Sequence, residues 1–210
     1  MAGAWTWLLA SPQAFWKDIA NFRDVYDFYL SYHQTPANLA IHSIAVPTLT
    51  VAILLLLAAT TSFTADGDHH RHGIGKACHS TFVGLDAGAA IIAVYLLYYA
   101  TVVPALAPFA AGIFATLWAA ARTARMTFSS RRKAVGAALA LGTVAEAAMV
   151  FGHRVLEEDS HAVIHGPAKA LAGAPLAIYV ELALRAGWFS GVLHGGARGA
   201  AAAAAAAAVA

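Results

Sequence analysis

Long apolar runs separated by short polar segments make up most of the chain. Residues 39–65 contain no Asp, Glu, Lys or Arg. Across residues 81–121 the only charged side chain is Asp86. A membrane span needs roughly 20 apolar residues, so this second run has room for two. Pro104 and Pro108 fall near its middle and predict a break into a helical hairpin. Residues 134–151 carry only Glu146, and residues 167–187 only Lys169, Glu181 and Arg185. The pattern predicts an all-α fold: a polytopic membrane helix bundle of about five transmembrane helices. Four spans is the alternative, because the last run is the most polar.

The segment ahead of the first span has a different period. Ile19, Phe22, Tyr26, Tyr29 and His33 recur at alternating intervals of three and four, which is one face of a helix. Lys17, Asp18, Arg23 and Asp24 lie on the other side. Residues 11–33 are therefore expected to form an N-terminal amphipathic helix, capped by Ser11 with Pro12 in its first turn. Such a helix lies on the membrane or packs across the bundle. The first basic residue, Lys17, follows the first short apolar run, the reverse of the order in a secretory signal.

The linkers add topology. Residues 66–80 form a polar, glycine-containing loop, and residues 122–133 hold five of the 13 basic residues. The positive-inside rule puts that basic loop in the cytosol. With five spans, the region before the first and the loop after the fourth then share the opposite side. The expected organisation is a single membrane-embedded catalytic domain over residues 1–190, with 66–80 as an insertion. Residues 191–210 form a low-complexity Gly/Ala tail with no assigned function.

Composition narrows the class of protein. The 210 residues are 60% hydrophobic and 11% charged, with a mean hydropathy of +0.64. An ordinary soluble domain is about 25% charged. These values argue against a soluble enzyme, a disordered chain or a nucleic-acid reader. A net charge of +2 gives no reason to expect a nucleic-acid partner. The single cysteine, Cys78, excludes an internal disulfide framework and a cysteine-rich zinc module. Ten histidines are the unusual feature.

Two histidine groups sit at membrane boundaries. In residues 31–47, Thr35-Pro36 reads as a helix start, and Asn38 and His42 follow four apart on one helical face. A tight turn brings His33 back over them. In residues 151–167, His153 and Glu157 are four apart, and His161 and His165 continue the spacing. Imidazole and carboxylate ligands suit iron or zinc. Ionisable groups at membrane depth are costly and tend to mark function. The competing readings are helix-capping or cross-linking hydrogen bonds for the first group and an exposed polar loop for the second. By parity the two groups share a side of the membrane, where three histidines and a carboxylate make a metal site with open positions.

The remaining polar residues suggest less. His69, His70, His72 and His79 lie in the 66–80 loop and read as solvated. Asp86 and Glu146 are lone intramembrane carboxylates, suited to interhelical hydrogen bonds, and Glu146 falls seven residues before His153. Tyr95, Tyr98 and Tyr99 read as an interfacial aromatic belt. No hydrolase nucleophile elbow, phosphate loop or dinucleotide fingerprint occurs.

Tyr32, His33, Asn38, His42 and Pro47, followed by Gly152, His153, Glu157, Ala174, Pro175, Leu176 and Glu181, carry a resemblance. In order and spacing they resemble the membrane 2-hydroxy fatty acid dioxygenase family, which acts in phytosphingosine breakdown at the endoplasmic reticulum. The resemblance covers roughly residues 20–187. The chain departs from the family pattern at Val46, Met149 and His161-Ala162.

The resemblance implies an Fe2+-dependent enzyme of the endoplasmic reticulum membrane. Its substrates would be O2 and a long-chain 2-hydroxy fatty acid, converted to the acid one carbon shorter (α-oxidation), with the acyl chain among membrane lipid and the spans. On this reading the metal ligands are His33, His42 and His153, with His161 as an additional or replacement ligand. Glu157 is a ligand or an orienting residue, and Asn38 a hydrogen-bond partner. Arg154, beside His153, is the expected partner of the substrate carboxylate. The rival readings are a zinc-dependent membrane lipid hydrolase, a non-catalytic membrane lipid-binding protein and, more distantly, a bis-histidine haem protein.

Overall fold

Apolar composition with helical periodicity yields helices alone. The computed structural model describes residues 12–61, 86–157 and 165–188, with no strand among them. The 66–80 loop, His161 and the Gly/Ala tail lie outside the described residues, as does Ser11. The chain divides into two compact units. The first draws on Met1–Ser43 and Met149–Ala210, the second on Ile44–Ala148.

In the first unit the expected N-terminal amphipathic helix is two helices, α1 (Pro12–Ile19) and α2 (Phe22–Ser31). The break falls at Asn21, whose backbone is extended (φ −115°, ψ 106°) and whose side chain accepts the Arg23 N–H at 3.0 Å. A short amide side chain that satisfies a helix-terminal N–H starts a new helix here instead of continuing the old one. The predicted face is preserved across the break: Ile19, Phe22, Tyr26, Tyr29 and His33 are all buried.

That face packs on the C-terminal helix Pro167–Arg185 (α7 below). A Cβ on Gly173 of that helix would stand 2.8 Å from Val25 Cγ1, so the close approach depends on glycine. The Tyr26 hydroxyl donates to Glu181, and Arg185 Nε donates to the same carboxylate at 2.7 Å. Glu181, an expensive charge in an apolar helix, thereby has two partners.

Helix α3 (Pro36–Thr60) starts where the sequence predicts. Pro36 opens it, and Thr35 Oγ1 accepts the Asn38 N–H at 3.2 Å.

In the second unit Asp86 is extended (φ −131°, ψ 174°) and accepts the Ala89 N–H at 2.9 Å, which starts α4 (Ala87–Val102). A 3-10 turn at Pro104–Leu106 then leads into α5 (Ala107–Thr127), so the hairpin breaks at the prolines as expected. Tyr95 and Tyr99 stack on Phe114, with ring centroids 5.5 and 6.2 Å apart. Tyr98 and Tyr99 are buried. Tyr95 and Tyr99 thus pack between α4 and α5, and Tyr98 packs on Tyr99 at 5.0 Å, where a lipid-facing belt would expose the rings.

Asp86 also corrects the reading of the basic segment. Its Oδ2 accepts from Arg122 Nη1 at 2.6 Å, and both side chains are buried. Arg122 belongs to α5, and α6 (Arg131–Phe151) begins after only Phe128, Ser129 and Ser130. Most of the expected 122–133 loop is therefore helix. Ala and Arg favour helix, and pairing with Asp86 offsets part of the cost of burying Arg122. Arg131 Nη2 donates to the Thr60 carbonyl at 3.0 Å, satisfying an oxygen at the C-terminus of α3.

A π-helical turn, Gly152–Leu156, ends α6, and α7 (Pro167–Arg185) completes the described chain. Among the described residues, four helical segments are long and apolar enough to cross a membrane: Pro36–Thr60, Pro104–Thr127, Arg131–Leu156 and Pro167–Arg185. The last run qualifies after all. The short one is α4, whose 16 residues rise about 24 Å against a hydrocarbon core of about 30 Å. Large apolar side chains such as Ile44, Val94, Leu97 and Val144 are exposed on these helices, as lipid-facing positions require. The protein is a helical membrane bundle.

Candidate metal centre

Three pieces of the first unit form the centre: the link between α2 and α3, the first two turns of α3, and the π turn. His33 follows the end of α2 by two residues, and its N–H continues the turn to the Leu30 carbonyl at 3.1 Å. Its ring lies flat on Tyr29, with centroids 3.9 Å apart and planes 15° off parallel. The Tyr29 carbonyl accepts from His33 Nδ1 at 2.6 Å. His42, one turn after Asn38, contacts the Asn38 carbonyl through Nδ1 at 3.0 Å. His153 sits in the π turn and is 1% exposed. Single π turns often occur at functional sites.

The three imidazoles converge. Ring centroids are 4.2 Å apart for His33–His42, 4.8 Å for His42–His153 and 5.0 Å for His33–His153. Their candidate ligand atoms all lie within 4.8 Å of one another, and all three residues are buried. A carbonyl oxygen only accepts hydrogen bonds. In the neutral rings, Nδ1 of His33 and of His42 must therefore carry the proton, which leaves the lone pair on Nε2. Backbone carbonyls on the far nitrogen commonly orient metal-ligating histidines. Three neutral nitrogen donors in a dry pocket fit a borderline divalent cation such as iron or zinc. The centre can hold a metal ion.

Asn38 is fully buried at this centre, and Gly152 lies against it. The Asn38 amide nitrogen donates to the Tyr32 carbonyl at 3.2 Å. That bond turns the amide oxygen toward Gly152, where an added Cβ would stand 2.2 Å from Oδ1 and 3.7 Å from His42 Cε1. Glycine before His153 is thus a packing requirement of the centre.

Glu157 acts across the centre. Its Oε1 accepts from the Gln34 N–H at 2.8 Å, the Thr35 N–H at 3.0 Å and the Thr35 hydroxyl at 3.3 Å. The spacing of four from His153 suggests a shared helical face, but the π turn widens the helix. The carboxylate instead reaches the N-terminus of α3, where exposed N–H groups and the helix dipole favour negative charge. It ties the turn bearing His153 to the link bearing His33.

Other expected residues are placed differently. Arg154 and Glu146 are exposed. His165 is exposed and stacks on Tyr32 at 6.0 Å, while Tyr32 meets His153 edge-on at 6.4 Å. Burial pushes the Tyr29 phenol well above the ordinary tyrosine range, helped by the Glu181 and Glu157 carboxylates. Burial does the same for Tyr26, reinforced by its hydrogen bond to Glu181. Both stay neutral phenols at physiological pH. Sequence spacing did not single out Tyr29 as a support for His33, although it precedes His33 by four on the predicted face.

The family model described as 2-hydroxy-palmitic acid dioxygenase Mpo1-like matches residues 19–186. All three histidines, Asn38, Gly152 and Glu157 fall within that match. No curated protein and no solved structure matches the chain.

Proposed function

The chain belongs to the 2-hydroxy-palmitic acid dioxygenase Mpo1-like family, and from that premise we propose that it is an Fe(II)-dependent enzyme of fatty acid α-oxidation. It converts a long-chain 2-hydroxy fatty acid and O2 to the acid one carbon shorter. The atoms balance without a co-substrate: RCH(OH)COOH + O2 gives RCOOH + CO2 + H2O. The proposed compartment, the endoplasmic reticulum membrane, and the link to sphingoid base breakdown rest on the family resemblance alone.

The observation that carries the reading is the buried convergence of His33, His42 and His153 in a chain of apolar helices. These three are the proposed ligands. Bound Fe(II) would supply O2 activation and polarisation of the 2-hydroxy acid. The chain's own residues do the rest. The Tyr29 and Asn38 carbonyls hold two imidazoles with Nε2 available. Glu157 fixes the link that carries His33. Arg154 is the proposed partner of the substrate carboxylate, and Asn38 a hydrogen-bonding residue of the site. Burial of the three rings keeps water away from the reacting centre.

Three imidazoles also suit zinc, so a zinc-dependent lipid hydrolase is the rival. The test is O2 uptake by detergent-purified, Fe(II)-loaded protein with 2-hydroxypalmitate, with products read by mass spectrometry. Pentadecanoate formation, abolished in His42→Ala, is expected. Zinc-dependent lipid hydrolysis without O2 consumption would overturn the proposal.

A further inference from the structure

We infer that the cationic end of the second unit, where α5 meets α6, binds the anionic headgroups of membrane phospholipids. The inference concerns the second unit alone and does not draw on the proposed reaction.

Four helices meet at this end. The Ala87 N–H donates to Thr61 Oγ1 at 3.1 Å, Arg122 pairs with Asp86 at 2.6 Å, and Arg131 Nη2 donates to the Thr60 carbonyl at 3.0 Å. These contacts join the end of α3, the start of α4, the last turns of α5 and the start of α6. Helices α3, α5 and α6 belong to segments long enough to cross a membrane, so their shared end lies at headgroup level. Residues 122–133 contain no Asp or Glu. Residues 62–85, which join α3 to α4, hold two Asp, one Arg and one Lys and so bring no net charge. Asp86 is already engaged by Arg122. Arg125, half-buried, and the exposed Arg131, Arg132 and Lys133 remain as uncompensated positive charge.

Contacts within the protein account for only some of these cations. Arg125 sits in the last turn of α5, where the helix dipole favours it, and Arg131 holds the Thr60 carbonyl. Arg132 and Lys133 stand in the first turn of α6, the end at which the dipole disfavours cations, and that turn has no acidic residue. Lys133 Nζ donates to the Ser129 hydroxyl at 3.1 Å. Among the described residues the ion pairs are Arg23–Asp27, Arg122–Asp86 and Arg185–Glu181, so none of the four cations has a carboxylate partner. A local rule broken without a compensating contact marks a functional place. An anion compensates twice, by pairing with the exposed cations and by lying at a helix N-terminus. At the end of membrane-spanning helices that anion is a lipid headgroup, and basic clusters beside spans attract acidic lipids.

The experiment reconstitutes the full chain in phosphatidylcholine vesicles and adds spin-labelled phosphatidylserine or phosphatidylcholine. Electron spin resonance separates lipid held against the protein from free lipid. The wild type should prefer the phosphatidylserine by at least about fivefold, the contribution of one cation near an anionic surface. The preference should vanish in 1 M salt, where screening acts within about 3 Å. Arg132→Gln combined with Lys133→Gln should lower the preference at least about threefold. In phosphatidylcholine alone that variant should unfold at the same temperature as the wild type or higher, because removing cations from the first turn of α6 relieves repulsion. Lys17→Gln, in the first unit, should leave the preference unchanged. A smaller wild-type preference, or one that survives 1 M salt, would overturn the inference even if the double variant does not fold. A folded double variant with a smaller drop, or an equal drop in Lys17→Gln, would overturn it as well.

Discussion

Gly152→Ala isolates the packing of the metal centre in a single methyl group. The new Cβ would lie 2.2 Å from Asn38 Oδ1 and 3.2 Å from its Cγ. Asn38 has little room to yield, because it is fully buried and its amide nitrogen is held by the Tyr32 carbonyl. Overpacking of this kind costs about 1–3 kcal/mol. Losing the Asn38–Tyr32 hydrogen bond adds about 1 kcal/mol. Against this, Ala is favoured over Gly inside a helix by about 1 kcal/mol. The expected net loss is therefore about 1–3 kcal/mol of stability. The effect on metal binding should be larger than on stability. Moving the Gly152 backbone displaces the adjacent His153, and a shifted supporting residue typically costs about ten- to hundredfold in metal affinity. Co2+ titration followed by its visible absorption reads the affinity, and SDS or thermal unfolding in detergent reads stability. A Gly152→Ala protein with wild-type Co2+ affinity and equal or higher stability would refute the packing argument, because propensity alone would then have decided the outcome.

Two further sites test other parts of the structure, Glu157 and the Asp86–Arg122 pair. Glu157→Gln keeps an acceptor for the Gln34 and Thr35 groups, so Co2+ affinity should fall less than about tenfold, whereas Glu157→Ala should lose more; loss of metal by both to the same degree, measured by equilibrium dialysis, would mark Glu157 as a ligand. Asp86→Ala leaves Arg122 buried without its carboxylate and should destabilise by about 3–5 kcal/mol in SDS unfolding, while Asp86→Leu combined with Arg122→Met should recover most of the loss.

Some of this protein was determined by the sequence alone. Apolar runs with few charges and long enough for the hydrocarbon core specify the helical membrane bundle, since unsatisfied backbone groups in lipid leave few alternatives. Local spacing marked the buried face from Ile19 to His33 and the start of α3 at Thr35-Pro36. Other features depend on contacts distant in sequence, and these only the tertiary structure decided. Arg122 looks like one more cation of a cytosolic loop until Asp86, 36 positions earlier, meets it. Glu157 stands one helical turn after His153 in the sequence, and only the structure shows its carboxylate accepting from the N–H groups of Gln34 and Thr35. Asn21 is a modest break signal, and the apolar period continues through it. His33 and His153 are separated by 120 positions, yet their rings stand 5.0 Å apart. Periodicity records which side of a helix is apolar. It does not record which helix lies opposite, or that Gly152 must lack a side chain because Asn38 occupies the space.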